Sequence, residues 1–108
     1  MREKDVEKLL TEEVKRHGGR AYKWTSPGNA GVPDRIVIFP GKRPMFVELK
    51  TDKGTLSALQ DVQIKRLLDL GQEVQVVYGV SGLVRFFRSL GYLDAASRIE
   101  KKCELSGR

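Results

Sequence analysis

Val6, Leu9, Leu10 and Val14 recur at the three- and four-residue spacing that lines up side chains along one side of a helix, with Lys and Glu between them. This predicts an amphipathic helix over residues 3–17, ended by Gly18 and Gly19. Glu7 lies three residues before Leu10 and seven before Val14, on the flank of the apolar stripe, where a purely solubilising glutamate is not expected. Glu3, one turn earlier, has a weaker form of the same property. His17 falls in the last turn and reads as a cation near the negative end of the helix dipole. It is the chain's one histidine, which leaves a zinc site without support.

Beyond Gly19 the period shortens to two. Residues 20–25 read as a strand with Tyr22 and Trp24 on one face and Ala21, Lys23 and Thr25 on the other. Residues 26–31 are a loop that contains glycines but lacks the Gly-Lys-Ser/Thr ending of a phosphate-binding P-loop. Two strand patterns follow, the first opened by Asp34 and the second closed by Glu48 and Lys50, with a turn over 40–44. Pairing Phe39 with Met45 sets Ile38 against Phe46, Ile36 against Glu48 and Asp34 against Lys50, all on one face. Diagonal neighbours in such a pair are about 7 to 8 Å apart, so Asp34 and Glu48 are expected to reach a shared ion. Both faces are rich in apolar residues, as for strands covered on two sides by helices. A polar trio on such a buried sheet costs solvation energy unless something pairs with it.

After a polar turn over 51–56, a second helix is expected over 57–70, capped by Thr55 or Ser57 and buried through Ile64, Leu67 and Leu68. Gln60, four residues before Ile64, then points inward near the end of the Lys50 strand. Residues 73–78 form a strand reached by a right-handed crossover, parallel to 45–50. Val84, Phe87 and Leu90 are in helical register over 80–90. The pattern weakens into a basic tail, 91–108, with room for one short helix. The division expected is a single domain over 1–90 followed by that tail.

At 108 residues the chain has the size of one domain, and 40% hydrophobic with 31% charged residues excludes general disorder. Its apolar runs have strand length, short of the about 20 residues of a membrane helix. The charged start, Met1 to Asp5, does not resemble a signal peptide, so an intracellular, cytoplasmic protein is expected. One cysteine, Cys103, can make no internal disulfide and no metal site, and reads as a thiol in the polar tail. The net charge of +6 favours a polyanionic partner, but it counts only alongside a site.

The site is the acidic pair. Two facing carboxylates repel, and a shared proton or a bound cation relieves them. Oxygen ligands favour Mg2+ or Mn2+ over zinc. An ion so held keeps waters and has room for a phosphate oxygen. Lys50, on the same face, is placed to orient a water or to offset charge in the transition state. Two acids, a lysine and a basic surface therefore point to metal-dependent phosphodiester hydrolysis.

The same residues carry a resemblance. Gly31-Val32-Pro33-Asp34, then Phe46-Val47-Glu48-Leu49-Lys50, then Gln60, resemble the VRR-NUC (virus-type replication-repair nuclease) domain of the PD-(D/E)XK nuclease superfamily. The resemblance implies an α/β, restriction-endonuclease-like core of order αβββαβ, with a central mixed sheet flanked by helices and a further C-terminal helix. It implies that Asp34, Glu48 and the main-chain carbonyl of Leu49 hold the metal while Lys50 acts on the water. Glu7 fits the acid of the family's first helix and Gln60 its helix glutamine beside the site. Lys23, with Ser26 and Arg35, is the expected contact to nucleic-acid phosphate. Also implied is a compact bacterial or phage-encoded protein, a homodimer acting on branched DNA such as Holliday junctions or flaps. Two readings stand against this one: a non-catalytic nucleic-acid-binding module with a nuclease fold, and an ordinary α/β domain in which Asp34, Glu48 and Lys50 merely pair with one another.

Overall fold

The structure, a computed structural model, describes residues 1–105. Its elements are α1 (Glu3–Arg16), β1 (Arg20–Lys23), β2 (Arg35–Ile38), β3 (Met45–Lys50), α2 (Ala58–Asp69), β4 (Glu73–Tyr78), α3 (Gly79–Ser89) and α4 (Leu93–Leu105). The expected αβββαβ order is present, in one mixed sheet ordered β1-β2-β3-β4. β1, β2 and β3 are mutually antiparallel, and β4 runs parallel to β3 through the α2 crossover.

Alternation along the strands decides which side of the sheet becomes the core. Val37, Phe39, Met45, Val47, Leu49 and Val77 all point one way and are buried against Val6, Leu10 and Val14 of α1, Leu83 and Phe87 of α3, and Ala95, Ala96 and Ile99 of α4. α2 lies on the opposite side, packed on β4. Its buried stripe is narrower than its sequence implies. Ile64 is buried, but Leu68 is 52% exposed, because α2 covers only the β3–β4 half of that face. Among the described residues no helix lies on the outer face of β1 and β2. Tyr22 and Ile38 are exposed there, so the expectation of two covered faces holds for half the sheet.

The hairpin register also differs from the expected one. Val37, not Phe39, stands opposite Met45, followed by Ile36 with Phe46 and Arg35 with Val47. The connection is longer because Lys42 N–H bonds the Phe39 carbonyl at 3.1 Å and closes a turn there, with Gly41 at φ 71°. Pro40 and Pro44 have no N–H to extend the ladder. A slip of two residues leaves every side chain on its predicted face. It does change the partners: continued by one residue, the pairing puts Asp34 across from Glu48 rather than Lys50.

The segment expected as a tail carries α4, whose Ala95, Ala96 and Ile99 enter the core. Cys103 is 3% exposed, so it belongs to the buried side of this helix and not to a polar tail. The remainder of that segment, 106–108, lies outside the described residues. A buried acid joins α4 to α1. Glu13, 3% exposed, accepts from Arg98 Nε at 3.0 Å and Nη2 at 2.8 Å. Arg98 also bonds Asp94 at 2.6 Å, and Asp94 lies 3.0 Å from His17 Nε2. The sequence offered no signal for this network, since Glu13 and Arg98 are 85 residues apart.

Candidate active site

Asp34 precedes β2, and Glu48 and Lys50 sit at the end of β3, all on the α2 side of the sheet. The Asp34 carboxylate is held by a main-chain donor: Leu49 N–H bonds Oδ2 at 2.8 Å. In a strand, the N–H and C=O of one residue point to the same edge, so the Leu49 carbonyl is directed toward Asp34 as well. Two carboxylates and one carbonyl therefore converge at the end of the β2–β3 ladder.

Glu48 is only 1% exposed. Its Oε2 accepts from Gln60 Nε2 at 2.8 Å and lies 3.6 Å from Lys50 Nζ. Its Oε1 is buried without a hydrogen-bond partner among the described residues. Burial, and then the charge of Asp34, push the Glu48 carboxyl up to about 7, and Lys50 only partly offsets them. An unpartnered carboxylate oxygen next to a second carboxylate suits a hard divalent cation. Among the described residues no group of three or more His, Cys, Asp and Glu side chains could hold a metal ion. A cation would thus rest on Asp34, Glu48, the Leu49 carbonyl and water, a set that fits Mg2+ or Mn2+ and not zinc.

Gln60 does two things at the start of α2. Its Oε1 accepts from Ser57 N–H at 2.9 Å, while its own N–H bonds Ser57 Oγ at 3.1 Å, forming a reciprocal cap. With Oε1 so engaged, its amide nitrogen is turned toward Glu48. The loop leading into Asp34 docks on this same turn. Gln63 Nε2 bonds the Ala30 carbonyl at 3.3 Å, and a Cβ on Gly31 would come within 2.6 Å of the Leu59 carbonyl carbon and oxygen. Gly31, at φ 92°, is the residue that lets the two backbones meet.

The remaining predicted residues make contacts of their own. Glu7 accepts from Arg35 Nε at 2.9 Å, and Arg35 Nη1 also bonds the Ala21 carbonyl at 2.8 Å. Arg35 points to the α1 side, so the pair forms a strut beside the site. Lys23 is exposed at the end of β1. Ser26 Oγ accepts from Asn29 Nδ2 at 3.0 Å within its own loop. A cleft of about 590 Å³ opens between α3 and α4, lined by Asp52, Ser81, Arg85 and Arg88, but none of the three site residues borders it.

Known proteins share this fold. A solved structure described as a VRR_NUC domain superposes with a TM-score of 0.66 over 92% of this chain and 94% of its own, at 24% identity, which shows the shared fold. "Putative nuclease p44" of Acyrthosiphon pisum secondary endosymbiont phage 1 is 43% identical over 77 residues, which span 71% of this chain and 83% of that protein. The VRR-NUC domain family matches residues 3–81, from the start of α1 through β4 and into the first turn of α3. On that match, most of its length, the chain belongs to the VRR-NUC domain family.

Proposed function

We propose that the chain is a divalent-cation-dependent nuclease that hydrolyses phosphodiester bonds in DNA. The observation that carries this is the orphaned Oε1 of Glu48, buried beside Asp34, in a chain with a net charge of +6. Membership of the VRR-NUC family and the likeness to a phage protein named as a nuclease support it. Asp34, Glu48 and the Leu49 carbonyl would hold Mg2+ or Mn2+. When bound, such an ion polarises the phosphoryl group and lowers the pKa of a water. Lys50, its side chain 16% exposed, keeps a cation next to the acids, where it orients the attacking water and offsets developing negative charge. Gln60 fixes one oxygen of Glu48 and leaves the other for the cation. The Glu7–Arg35 strut holds the start of β2, and Lys23 and Ser26 meet the phosphate backbone.

The preferred DNA in this reading is branched, as at Holliday junctions or flaps. Backbone contacts position a substrate without reading its sequence, so a domain of this size recognises shape. Two copies related by a two-fold axis would supply one site for each strand. α2 carries exposed Leu59, Val62 and Leu68, and Leu70 caps it, a surface suited to that contact. Sedimentation showing only a 12.2 kDa species would remove the dimer.

The test is a nicking and junction-cleavage assay of the parent, Asp34→Ala and Lys50→Ala with Mg2+, Mn2+ or EDTA. Cleavage should stop in EDTA and in Asp34→Ala, and fall by roughly a hundredfold or more in Lys50→Ala. Activity that survives both substitutions removes these roles. Tight, metal-independent DNA binding with no cleavage would select the non-catalytic module instead.

A further inference from the structure

Trp24 is the chain's single tryptophan. Its N–H bonds the Asp34 carbonyl at 3.0 Å, which carries the β1–β2 pairing one residue past Lys23. Trp24 therefore stands in the cross-strand row of Asp34 and Glu48. The next row on the same face is Tyr22, Ile36, Phe46 and Val74. Trp24 packs its indole 5.1 Å from the Phe46 ring, and Tyr22 is 55% exposed. Neither Tyr22 nor Trp24 belongs to the buried core. The result is an aromatic surface on the uncovered half of the sheet, ending at the acid pair.

Charge indicates what occupies it. Residues 18–50 contain six Lys and Arg and only two acids, Asp34 and Glu48 themselves; Arg35 is paired with Glu7 of α1, which leaves the segment three positive charges in excess. A second copy seated here would set that positive segment against itself, whereas a polyanion would be attracted. Among the described residues Lys23, at the exposed end of β1, has no acidic partner, and Arg20 bonds only the Gly19 carbonyl. Aromatic rings among unneutralised cations suit nucleic acid whose bases are free to stack. In a duplex the base faces are already occupied by their neighbours.

We propose that Tyr22 and Trp24 form a stacking platform for unpaired bases adjoining the scissile phosphate, so that among branched substrates those with a single-stranded segment at the cut, such as flaps, are preferred over fully paired junctions. This rests on the nuclease reading for its substrate, and its test does not depend on cleavage. In EDTA, a short oligothymidine and a blunt duplex of the same length are titrated into the full chain, following indole emission and the anisotropy of a labelled strand. The single strand should change Trp24 emission, and the duplex should bind with little change. Tyr22→Ala and Trp24→Leu should weaken single-strand binding by roughly five- to a hundredfold while duplex binding holds within a factor of about two. Circular dichroism checks the fold. If Trp24→Leu does not fold, Tyr22→Ala, at an exposed position, carries the test. Unchanged emission with equal affinity for both DNAs overturns the platform, as does parental single-strand binding by Tyr22→Ala. A dimer that Tyr22→Ala splits into monomers would give the face to a second copy and overturn it too. Asp34→Ala should keep the emission change while losing cleavage. A parent that shows the change but never cleaves separates failure of the nuclease reading from failure of this one.

Discussion

Burial and the facing Asp34 raise Glu48 to about 7, and this acts on stability as well as chemistry. Between about pH 4.5 and 7 the folded chain holds a proton there that the unfolded chain has lost, so without a cation stability falls as pH rises through that window. Glu48→Gln removes the effect: in EDTA at pH 8 it should melt about 5 °C above the parent while losing cleavage. Adding Mg2+ should raise the parent's melting temperature at that pH and leave Glu48→Gln unmoved. A parent that melts identically in EDTA and Mg2+ would argue against a cation between the acids. That Asp34, Glu48, Lys50 and Gln60 share a face was legible from strand and helix periodicity alone. That Glu48 keeps one oxygen unpartnered was not, because it depends on how Gln60 is turned by Ser57.

The loop before β2 and the first turn of α2 act as one unit, and Gly31 joins them. Gly31→Ala puts a methyl group where Leu59 already sits, at a φ that L side chains rarely adopt. The expected result is a displaced α2 start, a Gln60 no longer aimed at Glu48, and cleavage lower by roughly a hundredfold. Ser57→Ala removes the cap alone and should cost about 1 kcal/mol with a smaller loss of activity. Comparing cleavage rates and chemical-denaturation midpoints separates the two variants. Equal activity in Gly31→Ala and the parent would show that this contact does not set the site. The strand and helix spans were close to those the periodicity predicts. The register missed by two residues, since an even slip leaves the hydrophobic pattern unchanged and only the turn geometry distinguishes the alternatives.

Across the protein, α1 and α4 are locked by Glu13, Arg98, Asp94 and His17. Both ring nitrogens of His17 face acceptors, the Glu13 carbonyl at 2.8 Å and the Asp94 carboxylate at 3.0 Å, and Tyr92 packs 4.3 Å away. Burial opposes the charged imidazole, but these two acceptors outweigh it and hold the His17 pKa above its ordinary value. Hydrogen bonds from His17 and then Arg98 bring Asp94 down to about 2. The His17 contribution is complete below about pH 6.5 and fades as pH rises through the folded value, and the Asp94 contribution is complete above about pH 4 and fades toward 2. His17→Gln should therefore lower the melting temperature more at pH 5.5 than at pH 8.5, and an equal loss at both would refute the linkage. Glu13→Gln should cost about 2 kcal/mol at neutral pH by denaturant titration, since Arg98 keeps Asp94 and a third of its surface in water.

Local order came from the amino-acid series directly. Periods of 3.6 and 2 place apolar side chains on one side of each element, so the element order, the core faces and the shared face of Asp34, Glu48 and Lys50 follow from residue spacing. Contacts between distant segments do not. The pairing of Asp34 with Glu48, the docking of Gly31 on α2, the bare half of the sheet beneath Tyr22 and Trp24, and the Glu13–Arg98 lock depend on turn geometry and packing. Many folded arrangements share one polarity pattern, and they differ in energy only once the whole chain has closed on its core.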